Sequence, residues 1–255
     1  MSSRRHIALI ALGVCVVLGF AEETQAQARR RRAVAPPSTA APTNCVEYKA
    51  VRPGMKASYA ATAPGGNSTY TITYISDSPT ETRTTQKVQT PQATADGETR
   101  LQFDKVPGAT YDLRALRHLY TKVTTAVPFL GSVSVETDID FVPSFVVGPF
   151  EGYCAGVKWT VPPSTETITV RSPAGTNVMT QTTIAAEGEV LSVDDVVKTS
   201  IGDFTCIKLK TYTIVDGKPQ LTIAWNSIEH AITVKQEAYD ENGNIVTSVI
   251  ITALQ

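Results

Sequence analysis

The stretch GDFTCIKLKTYT, Gly202 to Thr213, alternates in the way of a β-strand, and three further strand-like runs follow it. The predicted strands span 205–215, 220–226, 232–239 and 245–254. DGKP connects the first two and DENGN the last two, and Asp-Gly and Asn-Gly are strong signals for tight hairpin turns. This part of the chain therefore predicts an antiparallel meander.

The chain before this meander consists largely of threonine-rich alternating runs, which are typical of strands. We predict strands at 55–60, 68–76, 80–90, 98–106, 109–127, 132–141, 157–163 and 165–175. A turn is expected at Ala95–Gly97, between the third and the fourth of these strands. Segment 143–156 is interrupted by prolines and glycines, so it is predicted as a hydrophobic loop or short helix. No long amphipathic helix is evident, so the predicted fold class is all-β, or a β-rich α+β fold.

The N-terminus has the features of a secretory signal peptide. A basic start, MSSRRH, precedes an apolar run from Ile7 to Ala21, and Ala26 and Ala28 form an A-x-A cleavage site. The alternative of a membrane anchor is disfavoured, because this run is shorter than the roughly 20 residues that span a bilayer. A lipoprotein is also disfavoured, because Cys15 lies in the middle of the run. We predict cleavage of 1–28 and a periplasmic or secreted protein.

Residues 29–44 are predicted to be a disordered tether. The segment has four arginines, Arg29–Arg32, followed by Pro, Ala, Ser and Thr, and this composition cannot bury apolar surface. The arginines either bind an anionic surface or an envelope protein, or form a solvated leader. Residues 45–255 are predicted to be one β-rich domain. The net charge of the whole chain, −1, does not favour nucleic-acid binding.

Three cysteines remain after cleavage of the signal peptide: Cys45, Cys154 and Cys206. An oxidising compartment permits one disulfide among them. We favour Cys45–Cys154, because both residues lie in loop-like sequence, PTNCVEY and FEGYCAG. Cys206 lies within a predicted strand, where a small apolar core residue is its commonest role.

The sequence has no signature of an enzyme or a cofactor. It contains no G-x-S-x-G, no phosphate loop, no dinucleotide fingerprint and no C-x-x-C spacing. His118 and His230 are interpreted as surface or edge residues. Asp138 and Asp140, in DIDF, are expected on one face of a strand, where we interpret them as solvated. We therefore predict a protein that is not an enzyme and binds no cofactor or metal.

Three elements occur in order: GVKW (156–159), GDFTCIKLK (202–210) and AWNSIEHAITVKQEAYDENGNI (224–245). Together they resemble a group of exported bacterial domains of unknown function, related to the LolA/LolB-like lipoprotein-carrier superfamily. The matching positions are Phe204 and Cys206 in the second element, and Trp225, Val234 and Lys235 in the third.

The chain departs from this pattern in two places. Asn226 stands where an aromatic residue is usual, and Ser227–His230 replaces a proline-glycine turn. The resemblance covers about 143–254, and no family motif was found before it.

The resemblance implies a strongly curved antiparallel sheet, like an open barrel, that encloses an apolar cavity. Its implied partner is a lipid or a lipoprotein acyl chain, since each methylene removed from water contributes about 0.8 kcal/mol. The candidate wall residues are Val133, Val135, Ile139, Phe141, Phe145, Trp159, Phe204, Ile223, Trp225 and Val234. The alternative is that these residues form a dry core, in an envelope scaffold or interaction protein.

Overall fold

The structure of the protein is a computed structural model that describes residues 44–47, 49, 51–64, 66–90, 94–107, 112–127, 131–149, 152–215 and 218–255. The predicted signal peptide, 1–28, lies outside these residues. So does the predicted tether, including Arg29–Arg32, except for its last residue, Asn44.

Antiparallel strands account for nearly all of the described chain. They are β1 (Cys45–Glu47), β2 (Lys56–Ala63), β3 (Gly66–Asp77), β4 (Glu81–Gln89), β5 (Thr94–Val106), β6 (Leu113–Val127), β7 (Gly131–Pro149), β8 (Gly152–Cys154), β9 (Lys158–Val161), β10 (Ser164–Ser172), β11 (Gly175–Thr199), β12 (Gly202–Val215), β13 (Lys218–Ser227), β14 (Thr233–Tyr239) and β15 (Ile245–Leu254). The described ranges contain no helix, and hence none that is long and apolar enough to cross a membrane. The all-β prediction is confirmed.

One large sheet holds most of the strands. Its 13 strands lie in the order β10-β7-β6-β5-β4-β3-β2-β15-β14-β13-β12-β11-β9. Most neighbours in the sheet are also neighbours in the chain, and the β2–β15 ladder joins the N-terminal strands to the C-terminal ones. The first part of β11 also pairs with β10, while β1 and β8 form a separate two-stranded ladder. Both predicted C-terminal hairpins, β12–β13 and β14–β15, are confirmed.

The prediction of a loop or short helix at 143–156 is wrong. Strand β7 runs through Pro143 to Pro149, and β8 follows it. The β6–β7 ladder passes from the pair His118–Asp140 directly to the pair Leu116–Phe145. Residues 141–144 therefore lie opposite a single residue of β6, Arg117, in an irregularity of the ladder. Proline is tolerated there because a bulge does not require its missing N–H.

The predicted turn at Ala95–Gly97 is also wrong. These residues lie inside β5, and Gly97 pairs with Gln86 of β4. A Cβ atom at Gly97 would come within 2.8 Å of the Gln86 side chain. The glycine therefore makes room for a buried glutamine, which is a packing role and not a turn role.

Both faces of β12 are buried in its middle. Cys206 and Ile207 are adjacent in the strand, point to opposite faces and have 0% exposure each. Cys206 belongs to what we call the C-terminal cluster, whose buried members are Val51, Ala57, Tyr59, Ala61, Val197, Cys206, Trp225, Ala231, Ile232, Val234, Val249 and Ile251. Ile207 belongs to the Trp159 cluster, with Ala115, Val146, Tyr153, Trp159, Val161, Val190 and Val193. A third group, the Phe141 cluster, contains Phe103, Leu116, Leu119, Ile139 and Phe141.

A disulfide joins Cys45 to Cys154, and Cys206 is free and buried. The two bonded cysteines do not lie in loops, as the sequence indicated, but directly opposite each other in the β1–β8 ladder. Val46, next to Cys45, packs against the Trp159 cluster. The bond therefore fixes the first described strand against the core.

Replacing Cys45 and Cys154 together by alanine should lower the free energy of unfolding by about 2–5 kcal/mol. The reason is that the bond restricts a loop of 109 residues in the unfolded chain. Urea denaturation followed by tryptophan fluorescence measures the loss. The matched control is Cys206→Ala, which keeps the disulfide. An equal loss in the control and in the double variant would contradict the prediction.

Trp159 packs into a slot made by two glycines. A Cβ atom at Gly188, its partner in the β9–β11 ladder, would lie only 1.9 Å from Trp159 Cε2. A Cβ atom at Gly148 of β7 would lie 3.2 Å from Cζ2 of the same ring. The indole therefore lies directly on backbone, which explains why glycine is required at position 188.

Gly188→Ala should lower the free energy of unfolding by about 1–3 kcal/mol, because the indole has to move out of its slot. In a Trp159→Leu background the same substitution should cost much less. A double-mutant cycle by urea denaturation measures this coupling. Equal costs in both backgrounds would show that the indole contact is not the cause.

Candidate functional site

The structure does not bring the predicted wall residues together. Ile139 and Phe141 belong to the Phe141 cluster, Trp159 belongs to the Trp159 cluster, and Phe145 packs against both. Four predicted wall residues from the last third of the chain belong to or pack against the C-terminal cluster: Phe204, Ile223, Trp225 and Val234. Val133 and Val135 are half-buried on β7 and are not members of any of the three clusters.

Trp225 lies between two lysines from the neighbouring strands. Lys208 of β12 and Lys235 of β14 are its direct partners in the two ladders. Their Nζ atoms lie 5.0 and 4.7 Å from the indole ring. Both ammonium groups are within range of cation–π attraction, which stabilises charge beside an aromatic ring.

Two carboxylates complete this group. The Trp225 indole N–H donates to Asp195 Oδ2 over 2.9 Å, and Lys208 Nζ lies 3.4 Å from the same oxygen. On the other side, Glu237 accepts from Lys235 over 2.8 Å and from the Tyr239 hydroxyl over 2.5 Å. We call these six residues, Asp195, Lys208, Trp225, Lys235, Glu237 and Tyr239, the Trp225 group.

The Trp225 group is balanced in charge. Burial by itself would raise the pKa of Glu237, but the bonds from Lys235 and Tyr239 outweigh it, and the pKa is lower than usual. The bond to Glu237, together with burial, raises the pKa of Tyr239 to about 12. Two ammonium groups thus face two carboxylates, and each charge has a partner. The arrangement favours a fixed, polar packing unit of the sheet.

Cys206 has the environment of a core residue. Burial, and then the nearby charge of Asp195, raises the pKa of its thiol to about 12. Its Sγ lies 3.5 Å from the carbonyl oxygen of Phe204, to which the thiol donates. A thiol with so high a pKa is almost entirely protonated at neutral pH, so it is a poor nucleophile.

A second polar group surrounds His118. The sequence did not indicate it. Its Nδ1 lies 2.7 Å from Asp140 Oδ1, and its Nε2 lies 3.4 Å from Asp138 Oδ1. Asp138 also binds Arg171 of β10. The two aspartates of DIDF do share a face, and His118 of the neighbouring strand occupies the space between them. Both ring nitrogens therefore face carboxylate oxygens.

No group of three or more His, Cys, Asp or Glu residues suited to hold a metal ion occurs in the part of the chain that the structure describes. The sequence identified Trp225, Lys235 and the aspartate pair as positions of interest. It missed Lys208 and Glu237, whose only signal is a charged residue at alternate positions of a strand. That pattern is usual for an exposed face.

Comparisons with known proteins do not place the chain in a family. No protein-family model matches the chain, and no curated protein matches it significantly. Among solved structures, it is similar to a protein of YmcC-like fold from Bacteroides fragilis that is thought to be exported. The two share 11% sequence identity with a TM-score of 0.41, over 83% of this chain and 100% of the other.

Glu237→Gln should lower the free energy of unfolding at pH 7 by about 1–3 kcal/mol, because it removes a charged hydrogen-bond acceptor. A carboxyl with a lowered folded pKa stabilises the fold above its unfolded pKa, near 4.5. This contribution is lost as the pH falls through the folded pKa. The difference between variant and wild type should therefore shrink below pH 4.5, in urea titrations at several pH values.

The matched control is Glu241→Gln, at an exposed position in the turn after β14. Its effect should be small at every pH. A loss for Glu237→Gln that does not change with pH would contradict the role given to the Glu237 carboxylate.

Proposed function

We propose that the protein is an exported envelope protein that works as a binding or scaffold module, without covalent chemistry, around a dry apolar core. One observation carries this proposal: most of the predicted wall residues belong to or pack against three packed clusters, with only Phe145 shared between two of them. A carrier cavity needs such residues on one shared surface. Their separation favours the interpretation that most of them are core.

Export is supported by the signal-peptide features of 1–28 and by the disulfide. A bond between Cys45 and Cys154 is typical of a chain that folds in an oxidising compartment. The bonded strand β1 begins directly after the arginine-rich segment. A partner bound to this segment would therefore be held to the folded part through β1, which the disulfide links to β8.

The scaffold proposal places partner binding on the surface and in Arg29–Arg32. The test is a pull-down from the envelope fraction with the mature protein and with a variant in which these four arginines are glutamine. A specific partner that is lost with the arginines supports a tether role. A partner that remains bound to the variant would show that the contact is made by the strands and not by the arginines.

Lipid carriage is the second candidate, and one observation favours it. Val133 and Val135 are half-buried, lie on the same face of β7 as Ile139, and do not belong to any of the three clusters. The apolar face of β7 therefore continues beyond the packed residues, where an acyl chain would find apolar surface.

Native mass spectrometry of the mature protein, followed by organic extraction, distinguishes the two candidates. The scaffold proposal expects the mass of the protein alone, less two hydrogens for the disulfide. A stoichiometric lipid that is lost on denaturation would overturn the dry core and favour carriage. In that case Val135→Thr should weaken lipid retention, while Val178→Thr, at an exposed position of β11, should not.

A further inference from the structure

Two arginines face each other across neighbouring strands of the sheet. Arg83 of β4 and Arg100 of β5 are direct partners in the β4–β5 ladder, so their side chains share a face. Side chains in such positions have Cβ atoms about 4.5–5.5 Å apart, and like charges there are unfavourable. Tyr120 of β6 is the next residue in the same row, and its ring centroid lies 5.6 Å from Arg100 Cζ.

These two guanidinium groups have little compensation from the protein. Within the described chain, Arg83 contacts one carboxylate, Glu81, at 3.8 Å, and its side chain is 45% exposed. Arg100 forms no ion pair with any described residue, and its Nε is buried without a hydrogen-bond partner. A buried donor without a partner in a native fold needs an explanation, and a bound anion supplies one.

Two of the nearby carboxylates are already engaged elsewhere. Glu136 binds Lys122 over 3.0 Å, and Asp138 binds Arg171 and His118. Glu98, which shares the face of Arg100 on β5, forms no ion pair with it among the described residues. The acceptor for Arg100 is therefore not supplied by these neighbours.

Other arginines of the sheet are compensated. Arg114 lies 3.6 Å from Asp77, Arg117 lies 3.4 Å from Asp104, and Arg171 binds Asp138. Arg83 and Arg100 thus differ from them, because two positive charges are adjacent and only one weak carboxylate contact is present.

We propose that Arg83 and Arg100 form a binding site for a phosphate group, either a free phosphate or the phosphate of a larger molecule. A tetrahedral oxyanion accepts paired N–H bonds from guanidinium groups, and its charge offsets two adjacent cations. Tyr120 borders the site on the side of Arg100. The site goes beyond the proposed scaffold function, since it depends neither on the tether nor on a dry core.

The test is isothermal titration calorimetry, in which inorganic phosphate is added to the mature protein at low ionic strength. Saturable binding is expected, and Arg83→Gln and Arg100→Gln should each weaken it about tenfold or more, as expected for loss of a charged hydrogen bond. The matched control is Arg117→Gln, which removes an exposed arginine that is paired with Asp104. Its affinity for phosphate should equal that of wild type.

Thermal unfolding provides a second measurement, which does not depend on the heat of binding. Phosphate should raise the melting temperature of the wild type and of Arg117→Gln, but not of Arg100→Gln, because a ligand stabilises only the state that binds it. Melting curves without phosphate show whether each variant is folded. Absence of saturable binding in the wild type, or equal weakening in all three variants, would overturn the proposal.

The source of the phosphate group is resolved by co-sedimentation with vesicles. Phosphatidylglycerol and phosphatidylcholine vesicles are compared for wild type, Arg100→Gln and Arg117→Gln. Binding to phosphatidylglycerol that is lost only in Arg100→Gln identifies an anionic lipid headgroup as the source. Binding of free phosphate without any vesicle binding supports the site with a soluble phosphate compound as its ligand.

Discussion

The fold depends on one constraint: with no helix in the described chain, a large sheet has to bury its own apolar faces. At the middle of β12 both faces are covered, since Cys206 on one face and Ile207 on the other are each 0% exposed. Loop residues such as Ala231 and Ile232 and the β1–β8 ladder supply cover that a helix would give in a mixed fold. This explains why a short strand held by a disulfide belongs to the core arrangement, and why an indole lies directly on the backbone of Gly188.

The same ladders organise the charged residues. Lys208, Trp225 and Lys235 form one row across three strands, and His118 and Asp140 are partners in another. Direct opposition fixes which charges meet, so the Trp225 group is balanced while Arg83 and Arg100 are not. Strand register therefore decides which charged side chains meet on the sheet. Rows in which a charge has no opposite partner are the places where a charged ligand can bind.

The division of apolar residues into three clusters bears on function in the same way. A concave sheet that carries an acyl chain keeps an apolar surface free of side-chain packing, whereas most of the residues expected to line it here belong to or pack against the three clusters. The thiol of Cys206 is buried, and both ring nitrogens of His118 lie beside carboxylates. The disulfide fixes the first described strand against the same core.

The sequence by itself determined many of the strands and the two C-terminal hairpins, because alternation and the turn preferences of Asp-Gly and Asn-Gly are local properties. It did not indicate β11 beyond its first residue, nor the short strands β1 and β8. Only the tertiary structure decided that β7 continues through Pro143, since the tolerance comes from the irregularity opposite Arg117. The same holds for Gly97, which serves the packing of Gln86 on another strand. The partners of Asp138, Asp195 and Glu237 were equally out of reach of sequence. Register between strands is set by the whole sheet, and no residue carries a local mark of the side chain it will face.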